Sequence, residues 1–474
     1  MSGVLVNLIE YIYYKLKKMK KAIYLITLLA IFGLSRTADA QSLAAGRAFS
    51  LAVCESYTVS AWGYNANGQL GNGTNTDSNV PVAVNSLSGI TDVACGDRHS
   101  LALKNNGTAW AWGDNSNGAI GNGTNTSSNV PVAVTSLTGI TAIAGGRYHS
   151  LALRNDSTVW AWGFNGEGAL GNGTFTSSNV AVPVSFLTGI IAISAGTNFS
   201  LALKKDSTVW AWGFNDEGEL GNGTNTKSNV PVPVSSLTGI IAISGGYFHS
   251  LALKNNGTVW AWGYNANGQL GNGTYTDSNV PVAVNSLTGI TNIACGRSHS
   301  LAIKNNGIVW AWGRNNSGQL GNGTNTSGNV PVQVSSLTEV NAIAAGEQHS
   351  LARKIDGTAW AWGSNSNGEL GNGNNTNSNV PLQISGLCPV LSLNEISEQP
   401  IVSVFPNPSN GHFTFTLSNE KGIVEVYNLL GKKVYHLEIK NQKFEVDLSN
   451  QPKGIYFATF YAGQKMRTEK IVIQ

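Results

Sequence analysis

The chain has 474 residues, of which only 12% are charged: 29 Lys and Arg stand against 26 Asp and Glu, with 56 glycines and four cysteines. Its first 40 residues hold six of the basic and two of the acidic side chains, so the remainder is balanced at 23 against 24. No stripe of Lys and Arg exists to neutralise phosphates, which excludes a nucleic-acid partner.

In chain order, Met19-Lys20-Lys21 opens a basic segment ahead of the apolar run Ala22–Leu34. Ala38-Asp39-Ala40 then supplies small residues before Gln41. This is the pattern of a signal peptide over residues 1–40, with Met19 as the expected start. The apolar run is too short to cross about 30 Å of hydrocarbon, and nothing later approaches that length, so no transmembrane segment is expected.

From Gln41 to Cys388 a 50-residue unit recurs seven times without insertion or deletion, its glycines falling at Gly46, Gly96, Gly146, Gly196, Gly246, Gly296 and Gly346. Each unit holds four short apolar runs between clusters of Gly, Asn, Thr and Pro. In the third unit they are Ile140–Ala144, His149–Leu153, Thr158–Trp162 and Val180–Val184. The spacing predicts four strands per unit and one unit per blade of a β-propeller. Alternation places His149, Leu151 and Leu153 on one face, and Trp160 with Trp162 on one face of the next strand. A solenoid would need polar end caps, which no unit provides, so a closed seven-bladed ring is expected.

The runs W-G-x-N-x-x-G-Q-L-G-N-G, V-P-V and G-x-x-H-S-L-A-L resemble the repeats of the regulator of chromosome condensation family. That resemblance implies the propeller fold. The family includes a nuclear guanine-nucleotide exchange factor. It also includes secreted bacterial propellers, some resembling β-lactamase-inhibiting proteins, that bind other proteins. An exchange-factor role conflicts with the export signals.

Residues 389–400 read as a linker, and residues 401–474 as a small antiparallel β-sandwich, so the chain is all-β throughout. Its strand runs are His412–Leu417, Ile423–Tyr427, Lys433–Ile439, Phe444–Leu448, Ile455–Tyr461 and Lys470–Ile473. The landmarks Phe405-Pro406-Asn407-Pro408, Gly411, Gly454-Ile455-Tyr456 and the terminal Lys470-Ile471-Val472-Ile473 resemble the C-terminal sorting domain of the bacterial type IX secretion system. The resemblance implies that Pro406, Asn407, Pro408, Gly411, Gly454, Tyr456 and Lys470 form the sorting motif. It also implies a partnership with the secretion machinery and attachment at the outer-membrane surface.

Cys95 and Cys295 occupy equivalent places in units two and six, which are not neighbours in a ring of seven, and are expected as buried thiols. Cys54 replaces the lysine ending the second strand of unit one, while Cys388 lies in the connection leaving unit seven. If blade seven abuts blade one these two come together, and a disulfide closing the ring is expected.

No catalytic residue, metal ligand or cofactor is nominated. Adjacent residues of a strand point to opposite faces, so the histidine of each His-Ser pair, such as His149-Ser150, cannot activate its own serine. Asp114-Asn115-Ser116-Asn117-Gly118 has the outline of a calcium loop, but its counterparts are rich in Asn and lack anionic ligands.

Comparing the units with one another locates the variation. It falls after the invariant glycine, after each Trp-Gly, and in the T-x-T turn, all in loops expected on one rim. The K-N-N-G and L-T-G-I connections of the other rim hardly change. The expected ligand-binding rim is Tyr64, Asp114, Arg147, Tyr148, Phe164, Phe175, Phe214, Tyr247, Phe248, Tyr264, Tyr275 and Arg314. Aromatic side chains on solvated loops mark contact surfaces. The resulting expectation is a secreted or cell-surface module binding a protein ligand. A glycan-binding adhesin, or an extracellular enzyme with a site assembled across blades, is the alternative.

Overall fold

The computed structural model describes residues 42–387 and, within 402–474, all but residues 418–421, 429–431 and 463–464. The expected signal peptide, the linker and Cys388 lie outside the described residues. The chain divides into two compact units, Met1–Cys388 and Pro389–Gln474.

In the first unit, β1 (Leu43–Ala45), β2 (Phe49–Val53), β3 (Val59–Gly63) and β4 (Ser78–Ala83) form an antiparallel sheet in sequence order. Six further sheets of the same order follow, ending with β28 (Ser378–Gln383). Each 50-residue unit is therefore one whole blade, and among the described residues no blade borrows a strand from another.

What joins the blades is the alternation of large and small side chains. Leu101 and Leu103 of blade two pack with Ala152 and Trp162 of blade three in one buried cluster. The arrangement recurs around the molecule, and Leu351 of blade seven meets Ala52 and Trp62 of blade one in the same way. The inner Trp of every blade is fully buried, and truncating such a residue costs roughly 3–5 kcal/mol.

The stretch between the third and fourth strands of each blade looked like a plain turn in sequence, yet it is a wedge. Asn65 folds it back: its Nδ2 donates to Thr74 O and Thr76 O, both at 3.0 Å, and its Oδ1 accepts from Leu70 N at 2.9 Å. The carbonyl of Gln69 is thereby pushed against blade two, where it accepts from Trp112 Nε1 at 2.8 Å and Ser100 Oγ at 2.7 Å. At the seam, Trp62 Nε1 and Ser50 Oγ donate to Glu369 O at 2.8 and 3.1 Å. The ring is closed.

The invariant glycine lies where successive blades come closest. A Cβ on Gly96 would fall 2.4 Å from Gly146 O, and one on Gly346 would fall 2.5 Å from Gly46 O. The Gly of Trp-Gly is required by backbone as well as space: Gly63 has φ +102°, and a Cβ there would sit 2.5 Å from Ala48 O.

The second unit has two sheets. One contains β29 (Val402–Phe405), β30 (His412–Leu417) and β33 (Lys443–Asp447). The other contains β31 (Gly422–Asn428), β32 (Lys433–Ile439), β34 (Gly454–Ala462) and β35 (Lys465–Ile473). Phe413, Phe415 and Val446 of the first share one buried core with Val424, Phe460 and Ile471 of the second. Strand β29 lies ahead of the six strand runs read from the sequence, the first of which begins at His412.

Candidate functional site

Two of the variable positions are joined by the backbone. Tyr64 N donates to Ala48 O at 2.8 Å, Phe164 N to Tyr148 O at 2.8 Å, Tyr264 N to Phe248 O at 2.8 Å and Arg314 N to Ser298 O at 2.8 Å. The loop after the invariant glycine and the residue after Trp-Gly thus form one surface on every blade.

At the axis, the residues following the glycines surround a cavity of about 100 Å³, to which Cys95 and Cys295 also contribute. Tyr247 OH reaches across from blade five and donates to Asp97 Oδ1 of blade two, and Arg147 Nε lies 3.3 Å from the other oxygen of that carboxylate. On the opposite side Glu347 receives both Arg297 and Arg47, the latter at 2.8 Å. Burial pushes the Asp97 carboxyl and the Tyr247 phenol above their ordinary values. The two carboxylates and three guanidiniums brace the mouth of the channel.

Outward from this brace, Phe214, Phe248, Tyr264 and Arg314 line a cavity of about 280 Å³, together with Glu217, Asn267, Arg297 and Ser298. A separate cavity of about 250 Å³ contains Tyr64 with Arg47, Ala48, Arg98 and Asn367. Tyr148 and Phe164 meet edge to face at 6.5 Å, with Arg147 stacked 4.8 Å over Tyr148.

The remaining expected rim residues do not join these groups. Phe175 and Tyr275 are exposed in the T-x-T turns, Phe175 lying under Lys227, which pairs with Glu167 at 3.1 Å. Asp114 caps its own turn, accepting from Ser116 N at 2.9 Å. Among the described residues no group of three or more His, Cys, Asp or Glu is placed to hold a metal.

Sequence reading nominated Asp114, Arg147 and Arg314 beside the aromatic members of the variable columns and left out Arg47, Asp97, Arg98, Arg297 and Glu347, which stand in those same columns. Glu217 and Asn267 were missed because the wedge was read as turn geometry. The constancy expected of the other rim is broken by Phe186, which is 94% exposed, and by exposed Ile191, Ile241 and Ile355. Ile191 and Ile241 stand where Thr91 and Thr141 bond a neighbouring carbonyl; that edge is open enough for the hydroxyl to be dispensable.

The histidines bridge blades. His99 Nε2 lies 2.9 Å from Ser150 Oγ, His149 Nε2 is 3.0 Å from Ser200 Oγ, and His349 Nε2 is 3.0 Å from Ser50 Oγ across the seam. Each serine already donates to a wedge carbonyl, as Ser150 does to Ala119 O at 2.9 Å. The histidine must therefore donate from Nε2, leaving the buried Nδ1 of His249, His299 and His349 without a partner. Burial lowers these imidazoles to pKa values of about 3 or 4. A serine whose proton is committed to a carbonyl, beside an imidazole that donates to it, is a structural latch and not a nucleophile with its base.

At the seam, Cys54 is disulfide-bonded and Cys95 and Cys295 are free. Blades two to five carry a cation over a tryptophan at the equivalent place, for example Lys104 4.8 Å over Trp110. In blade one that pair is Cys54 and Ser60, their Sγ and Oγ 3.5 Å apart. Arg353 of blade seven crosses to Val53 O at 3.3 Å.

In the second unit, Asn407 sits between Pro406 and Pro408 and grips the last strand. Its Nδ2 donates to Lys470 O at 2.8 Å, and its Oδ1 accepts from Val472 N at 3.0 Å. Gly411 has φ +109° against the Ser449 backbone, Gly454 opens β34, and the Tyr456 hydroxyl donates to Pro452 O at 2.7 Å. Two landmarks some 60 residues apart are thus one contact.

Comparison with known proteins agrees with this geometry. The RCC1-like domain model matches residues 175–399, and models of the regulator of chromosome condensation repeat match 58–103, 106–153, 90–119 and 140–169. The secretion system C-terminal sorting domain matches residues 403–474. A search of curated proteins finds no match. Among solved structures, human WBSCR16 is similar at 23% identity and TM-score 0.64, covering 69% of this chain and 94% of its own. Yeast RCC1 (Prp20), solved bound to Kap60, is similar at 22% identity and TM-score 0.63, covering 76% of this chain and 86% of its own. A further structure of Prp20p from Saccharomyces cerevisiae matches at 23% identity and TM-score 0.62, with 75% and 88% covered. These matches indicate no enzyme family. The chain is a seven-bladed propeller of regulator of chromosome condensation repeats followed by a type IX sorting domain, the address of a protein exported to the outer-membrane cell surface.

Proposed function

We propose that this protein is a surface-displayed binding module whose variable rim engages a protein ligand. The observation that carries this reading is the pairing of the two variable loops in every blade. It brings side chains that differ from unit to unit onto one surface while the strands beneath stay constant. Aromatic residues and arginine gather there, the types that dominate protein interfaces. A propeller of the same fold has been solved bound to another protein, Kap60. No cofactor and no nucleic acid enter this reading, and the sorting address supports a partner outside the cell.

The test is to isolate a partner by affinity capture with the mature chain and then measure its binding to variants. Replacing Tyr64, Phe164, Phe214 and Tyr264 together by alanine should weaken binding at least tenfold and leave the melting temperature within a few degrees. An equal loss on substituting Asn105, Asn255 and Asn305 in the K-N-N-G turns would refute the assignment to this rim.

A further inference from the structure

We infer that the cleft between blades four, five and six takes an acidic side chain, carried beside an apolar one on a protein loop. This rests on the rim being the binding surface and adds which part of it recognises what.

Arg314 carries the argument. Its Nε is buried and has no hydrogen-bond partner, and no ion pair is formed by this guanidinium among the described residues. The neighbouring Arg297 is different, since Glu347 already offsets its charge. An acceptor reaching this guanidinium through the cavity would form a charge-assisted hydrogen bond. Arg314 lines a cavity of about 280 Å³ open to solvent, so the acceptor can come from outside. Guanidinium recognises carboxylate best, through charge and paired N–H donors.

The rest of the cleft defines what accompanies the carboxylate. Phe214, Phe248 and Tyr264 form an apolar wall. Phe248 stands edge to face between Tyr247 at 6.2 Å and Tyr264 at 6.3 Å. Rings turned against one another in this way box an inserted side chain and present no flat platform for a sugar ring. Glu217 lies on the blade-four side, beside Asp277, and burial with that neighbouring charge raises its carboxyl. The cleft is therefore polarised, with a carboxylate drawn to Arg314 and a backbone N–H or hydroxyl donor to Glu217.

The probes are the blocked peptides Gly-Asp-Phe-Gly and Gly-Asn-Phe-Gly, their Lys counterpart Gly-Lys-Phe-Gly, and a glucuronate disaccharide. All are titrated into the mature chain with NMR detection. The Asp peptide should bind at least tenfold tighter than the Asn peptide. Arg314→Gln should erase that ratio, Arg314→Glu should turn the preference to the Lys peptide, and Phe248→Ala should weaken all three. Melting curves of the variants establish that the ring is intact. Equal binding of Asp and Asn peptides, a ratio that survives Arg314→Gln, or tighter Arg314-dependent binding of the disaccharide would each overturn the inference. So would binding of none of the probes. In every one of these cases the four-residue alanine variant still decides separately whether the rim binds protein.

Discussion

Five buried histidines set how this ring responds to acid. His99, His149, His249, His299 and His349 are held neutral by burial, at pKa values of about 3 or 4, whereas in the unfolded chain each titrates near 6.5. Between those limits only the unfolded state takes up the proton, so stability present above pH 6.5 is lost as pH falls. From pH 7.5 to 5.5 each histidine removes about 1.4 kcal/mol, a figure fixed by the unfolded pKa while the folded one stays well below 5.5. Five together remove about 7 kcal/mol, on the scale of a whole domain's stability of about 5–15 kcal/mol. Glu219 acts in the opposite sense. Burial raises its carboxyl to about 8, so the folded state binds the proton first and recovers about 2.5 kcal/mol over the same interval. The position itself accepts phenylalanine, since Phe49 and Phe199 occupy it fully buried. Replacing His149 and His299 together by Phe should therefore reduce the acid loss by about 3 kcal/mol, with the Glu219 contribution cancelling in the comparison. Urea titrations at pH 7.5, 6.5 and 5.5 measure this through tryptophan fluorescence, because all thirteen tryptophans lie in the repeats. If parent and variant lose stability in parallel, the account of buried neutral imidazoles is wrong.

Asn165→Ala removes a side chain that donates to Thr174 O and Thr176 O and accepts from Leu170 N. It should cost about 2–4 kcal/mol in the same titration, and a loss below about 0.5 kcal/mol would show that the wedge holds itself. A bridge between Cys54 and Cys388 is expected. A non-reduced digest should yield the linked peptides, and reduction should lower stability by several kcal/mol; alkylation of Cys54 without reductant would refute it. Deleting residues 401–474 should leave a folded propeller in the periplasm, since core and address are separate units. Normal surface display of that truncation would contradict the assignment.

The blades were legible because the unit repeats without insertions, so one glycine phases every strand and the Leu, Ala and Trp positions alternate against it. The wedge was not legible. Gln69 meets its partner Trp112 43 residues further on, and nothing in a turn rich in Gly and Asn announces that its carbonyl serves the next blade. Within one strand the histidine and serine of each His-Ser pair point apart, and the bond of each histidine to the following blade is visible only once blades are stacked. At the rim, the columns were identified and their chemistry only partly. Asp97 and Tyr247 are three blades apart in sequence and meet only because the axis is narrow.

Because no strand among the described residues crosses the seam, the two faces that meet there exist separately until the seventh blade is made. Blade one waits with Ala52 and Trp62 uncovered, and blade seven completes the match with Leu351 and Leu370. These faces are complementary but unlike, so an incomplete arc has a donor end and an acceptor end. Two such arcs would join head to tail, and the product would again have both ends open. A chain cut short by one blade should thus grow into open-ended assemblies where the full chain stops at a single turn. The number of blades is then what limits growth.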